Sequence, residues 1–252
     1  MKSLSFLIFV LILNFSFTTT AKAQAQFDLE SGAVFTGYND VRIPGDLGTF
    51  FSLKNDLQHE TKMFYRLRAS YTINSRHTIS LLYAPLETKS VGRAAKDIFF
   101  EGVVFPSNTN LNGSYKFNSY RLTYRYDIVK NPGIVFGLGF TAKIRDASIG
   151  LSSPGLNAEK TNVGFVPIIN FRFLLKINDK FDLLLDGDAL AAPQGRAEDV
   201  LLAAQYNLND NFAVRAGYRI LEGGADNDEV YNFALFHYAS VGITYTFTKS
   251  TK

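Results

Sequence analysis

Tyr120, Leu122, Tyr124, Tyr126 and Ile128 alternate with Arg121, Thr123, Arg125 and Asp127. Successive side chains of a β-strand point to opposite faces. One face of this segment therefore carries only large apolar and aromatic groups, and the other carries two guanidinium groups and a carboxylate. The first face is too apolar for water and the second too charged for a protein core. Both are accommodated if the apolar face meets hydrocarbon and the charged face lines a closed interior. In hydrocarbon only a sheet closed on itself satisfies every backbone N–H and C=O, so a strand of this kind demands a barrel.

The same period of two recurs along the chain. Tyr65, Leu67, Ala69, Tyr71 and Ile73 alternate with Arg66, Arg68, Ser70 and Thr72. Ile169, Phe171, Phe173, Leu175 and Ile177 alternate with Asn170, Arg172, Leu174 and Lys176, and Val241, Ile243, Tyr245 and Phe247 with Ser240, Gly242, Thr244 and Thr246. Ten strands are expected, at 26–38, 62–73, 77–87, 114–129, 134–149, 162–177, 181–192, 199–208, 212–222 and 230–247. Tight-turn residues join them at 74–76, 130–133, 178–180 and 209–211, and longer connections alternate with these at 39–61, 88–113, 150–161, 193–198 and 223–229. An even strand number, with short turns at one end and longer loops at the other, is the layout of an up-and-down antiparallel transmembrane β-barrel. The competing reading is a soluble β-sandwich or lipocalin-like barrel with the apolar face as its core.

The N-terminus favours export. Met1-Lys2-Ser3, an apolar run from Leu4 to Phe17 and the small residues ending Ala21-Lys22-Ala23 have the form of a secretory signal peptide over 1–23. The apolar run falls short of the ~20 residues of a membrane helix. The mature barrel is expected over 24–247, followed by a short periplasmic tail over 248–252. The sequence contains no Cys, which excludes disulfides, thiolate metal sites and a lipid anchor on an N-terminal Cys. Removing Lys2 and Lys22 leaves 24 basic residues against 23 acidic ones, a net charge of +1 with no clustered basic patch for nucleic acid.

On these patterns the mature chain resembles the small bacterial outer-membrane barrels of the OmpA/OmpX type, in a ten-stranded form. The resemblance lies in the alternation and carries no subfamily motif. It implies an outer-membrane location, lipid and lipopolysaccharide around the barrel, and handling by the barrel assembly machinery. Such proteins often end in an aromatic residue, whereas here "GITYTF" ends at Phe247, five residues before the terminus.

The inner face is expected to hold an ion-pair network of Asp28, Glu30, Arg66, Arg68, Arg121, Arg125, Asp127, Lys143, Arg172, Asp182, Asp186, Asp188, Arg215 and Arg219. Eight strands leave an interior filled by side chains and about sixteen leave a channel, so ten lies near the filled end. Guanidinium–carboxylate forks would close the lumen. The alternative is a narrow channel whose basic excess favours anions.

Enzymatic readings are weaker. His237 and Ser240 resemble the His-x-Ser pair of lipid A 3-O-deacylases, but a three-residue spacing puts them on opposite faces of a regular strand. Asp186 and Asp188 share a face and resemble the paired acids of an outer-membrane aspartyl-type protease, yet abundant lumen cations would hold both ionised. No metal-ligand spacing and no cofactor motif is present, so neither a cofactor nor enzymatic turnover is expected. Two outer loops, 39–57 and 96–113, are unusually apolar, with Phe50, Phe51, Phe99, Phe100 and Phe105. They would fold over the barrel mouth, extend the strands, or present a surface for an extracellular ligand or partner.

Overall fold

The computed structural model describes residues 23–93, 95–193 and 195–247. The expected signal peptide, all but its last residue, and the expected tail lie outside these ranges. The strands are β1 (Ala23–Arg42), β2 (Phe51–Ser52), β3 (Leu57–His59), β4 (Lys62–Ile73), β5 (His77–Ala84), β6 (Glu87–Arg93), β7 (Ile98–Phe100), β8 (Val103–Phe105), β9 (Asn110–Lys130), β10 (Ile134–Ser153), β11 (Leu156–Lys176), β12 (Phe181–Ala192), β13 (Gly195–Asn207), β14 (Phe212–Asp226) and β15 (Tyr231–Phe247). The wall runs antiparallel through β1, β4, β5, β9, β10, β11, β12, β13, β14 and β15, with β6 continuing the course of β5 along β9. Strand β15 pairs back onto β1 from Ala25–Phe247 to Arg42–Tyr231, which closes a ten-stranded barrel.

The expected strands are all present, and several are longer. Most of the stretch taken as a loop over 150–161 is paired strand, because β10 and β11 continue as a ladder to Ser153–Leu156. Likewise β1 runs to Arg42 and β9 begins at Asn110. Three of the four short turns are closed by Asn side chains: Asn131, Asn178 and Asn209 each accept backbone N–H bonds from residues two and three further on.

The outward face is a belt of exposed apolar side chains that includes Phe27, Leu29, Leu67, Leu81, Tyr120, Leu122, Phe140, Ile169, Leu202 and Ile243. That arrangement is stable against hydrocarbon.

The interior has two storeys, and the boundary can be read on single strands. Along the inner face of β9, Leu111, Gly113, Tyr115 and Phe117 give way to Ser119, Arg121, Thr123, Arg125 and Asp127 towards the short turns. On β15 the inner residues change from Ala234, Phe236 and Tyr238 to Ser240, Gly242 and Thr244. The half facing the long loops is an apolar core of Val34, Val41, Phe64, Tyr115, Ile149, Phe236 and Tyr238, into which the loops insert Ile43, Phe51, Leu53, Leu57, Ile98, Phe100 and Phe105. Phe51 and Phe100 meet edge to face at 5.9 Å. Phe51, Phe100 and Phe105 were candidates for a loop binding surface. They are buried instead, Phe100 and Phe105 because the β7–β8 hairpin turns inward and Phe51 because β2 pairs back onto β1, where their rings leave water. Phe50 stays exposed beside Tyr231, and Phe99 is half-buried on the rim.

Candidate functional site

Charged side chains from opposite walls meet in a layer at mid-height. Arg66 on β4 reaches across to Asp199 on β13 at 2.8 Å. Arg121 on β9 donates to Asp188 on β12 at 2.6 Å and to Asp199 at 2.5 Å. Arg219 on β14 donates to Glu30 on β1 at 2.7 Å and to Asp199 at 2.5 Å. Ser240 donates to Glu30 at 2.9 Å, while Thr141 and Asn170 donate to Asp188 at 2.6 and 3.0 Å. Below this layer, Arg68 and Arg172 share Asp186 at 2.8 and 3.4 Å, Arg125 approaches Asp127 at 3.3 Å, and Arg215 forks onto Asp28. Gly242 lies where a Cβ would fall 2.5 Å from the Arg215 guanidinium carbon, so a larger residue there would displace that fork.

Two members of the expected network differ. Asp182 has no cationic partner among the described residues; its Oδ2 accepts from the side-chain amides of Gln205 at 3.0 Å and Asn207 at 2.9 Å. Lys143 has no carboxylate within ion-pairing distance among the described residues, and its ammonium lies 4.5 Å from the centre of the Phe117 ring. Both follow the period of two onto the inner face, but alternation does not say which carboxylates lie within reach. Conversely, Asp199 accepts from three arginines and was missed. It is the first residue of its expected strand, directly after the expected connection over 193–198. Its parity with Leu201, Ala203 and Gln205 was the available signal.

The layer separates two cavities. One of about 150 Å³ opens towards the short turns and is lined by Arg68, Arg125, Arg172, Asp186 and Arg215. The other, about 520 Å³, lies in the half facing the long loops, with Arg121, Asp188 and Asp199 at its floor and Tyr115, Phe117, Ile149 and Phe236 in its walls.

The catalytic candidates do not assemble. His237 shares a hydrogen bond with the Tyr218 hydroxyl on the outward face, while Ser240 bonds Glu30 in the lumen. No irregularity in β15 brings them to one side; the register shift at this level is in β1, beside Gly37. Asp186 is held by Arg68 and Arg172, and Asp188 by Arg121, Thr141 and Asn170. His59 lies in β3, its Nδ1 3.2 Å from the Lys89 carbonyl, and burial pulls its pKa below the ordinary histidine range. Lys89 pairs with Ser114, roughly 23 Å of strand from Arg121. Among the described residues no group of three or more His, Asp or Glu could hold a metal ion.

The sequence matches no protein-family model and no curated protein. Among solved structures, the fold resembles the outer membrane protease OmpT from Escherichia coli, with 10% identity, 91% of this chain and 99% of that chain covered, and a TM-score of 0.55. Alignments to Neisserial surface protein A (17% identity, 88% and 97% covered, TM-score 0.35) and to a Pseudomonas aeruginosa FadL homologue (8%, 90% and 90%, 0.40) are looser. At these identities the likeness is one of fold, that of bacterial outer-membrane β-barrels.

Proposed function

We propose that the protein is a non-conducting, non-enzymatic outer-membrane barrel that works by binding at its outward half. The observation that carries this reading is the ion-pair layer joining β1, β4, β9, β12, β13 and β14 between the two cavities. Each layer carboxylate accepts at least two donors, so an ion moving through would have to break several buried charge-assisted bonds. The 520 Å³ cavity above it falls in the range of small-ligand pockets. The partners expected from sequence fit this reading: lipid and lipopolysaccharide around the apolar belt, and the assembly machinery at the strand ending in Phe247. An extracellular ligand would occupy the upper cavity.

The lower cavity, lined by Arg68, Arg125, Arg172, Arg215 and Arg219, is the feature that favours an anion-preferring channel instead. Planar-bilayer recordings separate the two. The purified protein is expected to insert without stepwise conductance. Reproducible steps with anion preference would overturn the binding reading in favour of conduction.

A further inference from the structure

The wall has a gap. Of the 21 residues of β11, only Ile169–Lys176 pair with β12, whereas Leu156–Leu175 pair with β10 on its other side. Above Ile169, β11 has no register partner on its β12 side among the described residues, and Leu190–Ala192 of β12 pair only with β13. Pro167 stands two residues above the last pair; a proline has no N–H to donate to a ladder, which suits the start of an open edge.

The open edge begins within the apolar belt. Phe165 lies opposite Ile144 on β10, and Ile144 opposite Tyr120 on β9, and all three are exposed on the outward face. An unpaired strand edge facing hydrocarbon is costly and is tolerated where it lines a cavity. Here it does: the upper cavity is bordered by Phe165, Val166 and Ile168 on one side of the gap and by Leu190 and Ala192 on the other. Phe165 is 61% exposed on the outer surface, so the cavity and the lipid-facing surface meet at this residue.

Beside the gap, β10 directs Lys143 and Arg145 into the same cavity, opposite Val166 and Gly164 of β11. Lys143 is only 2% exposed and, among the described residues, has neither a hydrogen bond nor an ion pair. Arg145 donates to Asn162 through Nη2, while its buried Nε has no partner. Neighbouring lining cations are satisfied: Arg121 by Asp188 and Asp199, Arg196 by Glu222, and Lys160 by Glu101. A buried ammonium with no carboxylate at ion-pairing distance is costly unless something supplies one.

We propose that the gap between β11 and β12 is a lateral portal through which a single-chain amphiphile with an anionic head passes between the outer leaflet and the cavity. Lys143 and Arg145 hold the head, and the chain lies against Val166, Ile168 and Leu190 and out through the gap past Phe165. This rests on the binding reading above and names its ligand class. A carboxylate and a phosphate monoester share the required head-group chemistry.

The test uses the full barrel in phosphatidylcholine nanodiscs with cis-parinaric acid, a fluorescent fatty acid, as probe. Saturable binding is expected, displaced by palmitate or by hexadecyl phosphate and not by hexadecanol. Displacement by only one of the two acids identifies the head-group source. Lys143→Met removes an unpaired buried charge and is expected to fold, with at least a tenfold weaker affinity, whereas Lys143→Arg retains binding. Palmitate carrying a photoreactive diazirine near its tail is expected to label 163–168 and 189–192. Adducts spread around the whole apolar belt, or equal affinity of Lys143→Met and the parent chain, would overturn the portal. Absence of saturable binding, with silent bilayer recordings, would overturn the portal and leave the sealed barrel standing.

Discussion

Asp199→Ala is expected to lower the free energy of unfolding by about 3–5 kcal/mol. Asp199 is the only ion-pair partner of Arg66 among the described residues, and it also serves Arg121 and Arg219, which keep Asp188 and Glu30 respectively. Its removal leaves the Arg66 guanidinium buried and without a counter-charge. Forming such a pair gains little over a well-packed apolar alternative, but removing one partner exposes the full cost of burying the other. The matched control is Arg196→Ala. Arg196 pairs with Glu222 at 2.7 Å near the mouth, and its side chain is partly exposed, so about 0–1 kcal/mol is expected. Urea unfolding in detergent, followed by far-UV circular dichroism because the chain has no Trp, measures both. Equal losses for the two variants would contradict the layer.

Phe100→Ala should cost about 3–5 kcal/mol, a loss comparable to truncating a ring in the core of a soluble protein. Phe100 belongs to a loop hairpin, where substitutions are ordinarily mild, yet it is fully buried against Phe51. Phe50→Ala, at a ring 46% exposed, is expected to stay within about 0.5 kcal/mol. The same unfolding experiment reads both, and a mild Phe100→Ala would mean that the hairpin does not pack into the barrel.

Alternation made the wall legible in the sequence because a residue's face on a strand depends only on parity. That is why Arg66, Arg121, Asp188 and Arg219 could be placed inside from sequence alone. Parity carries no information about which residues meet across a lumen. Lys143 and Asp182 were therefore grouped with the ion pairs, and Asp199, at an uncertain strand end, was left out. The apolar loops showed their composition but not their direction. Exposure and inward packing of Phe100 look alike until its burial in the apolar core against Phe51 is known. The gap beside β11 was hidden for a related reason. The period of two continues through Val163, Phe165 and Pro167 whether or not a neighbour is bonded on both sides, and Pro167 was the sole local cue.

The central claim, an interior closed at mid-height by charge pairs, is tested most directly by thiol accessibility, since the chain contains no Cys. Ser119→Cys and Ser240→Cys place a thiol within the layer, where both serines are buried, and Leu47→Cys places one at the mouth, where Leu47 is 82% exposed. With a charged methanethiosulfonate reagent applied to the barrel in vesicles, Leu47→Cys is predicted to react at once. The two layer variants are predicted to stay unreacted until the protein is unfolded in urea. Reaction of Ser119→Cys or Ser240→Cys in the folded barrel at the rate of Leu47→Cys would contradict a closed lumen.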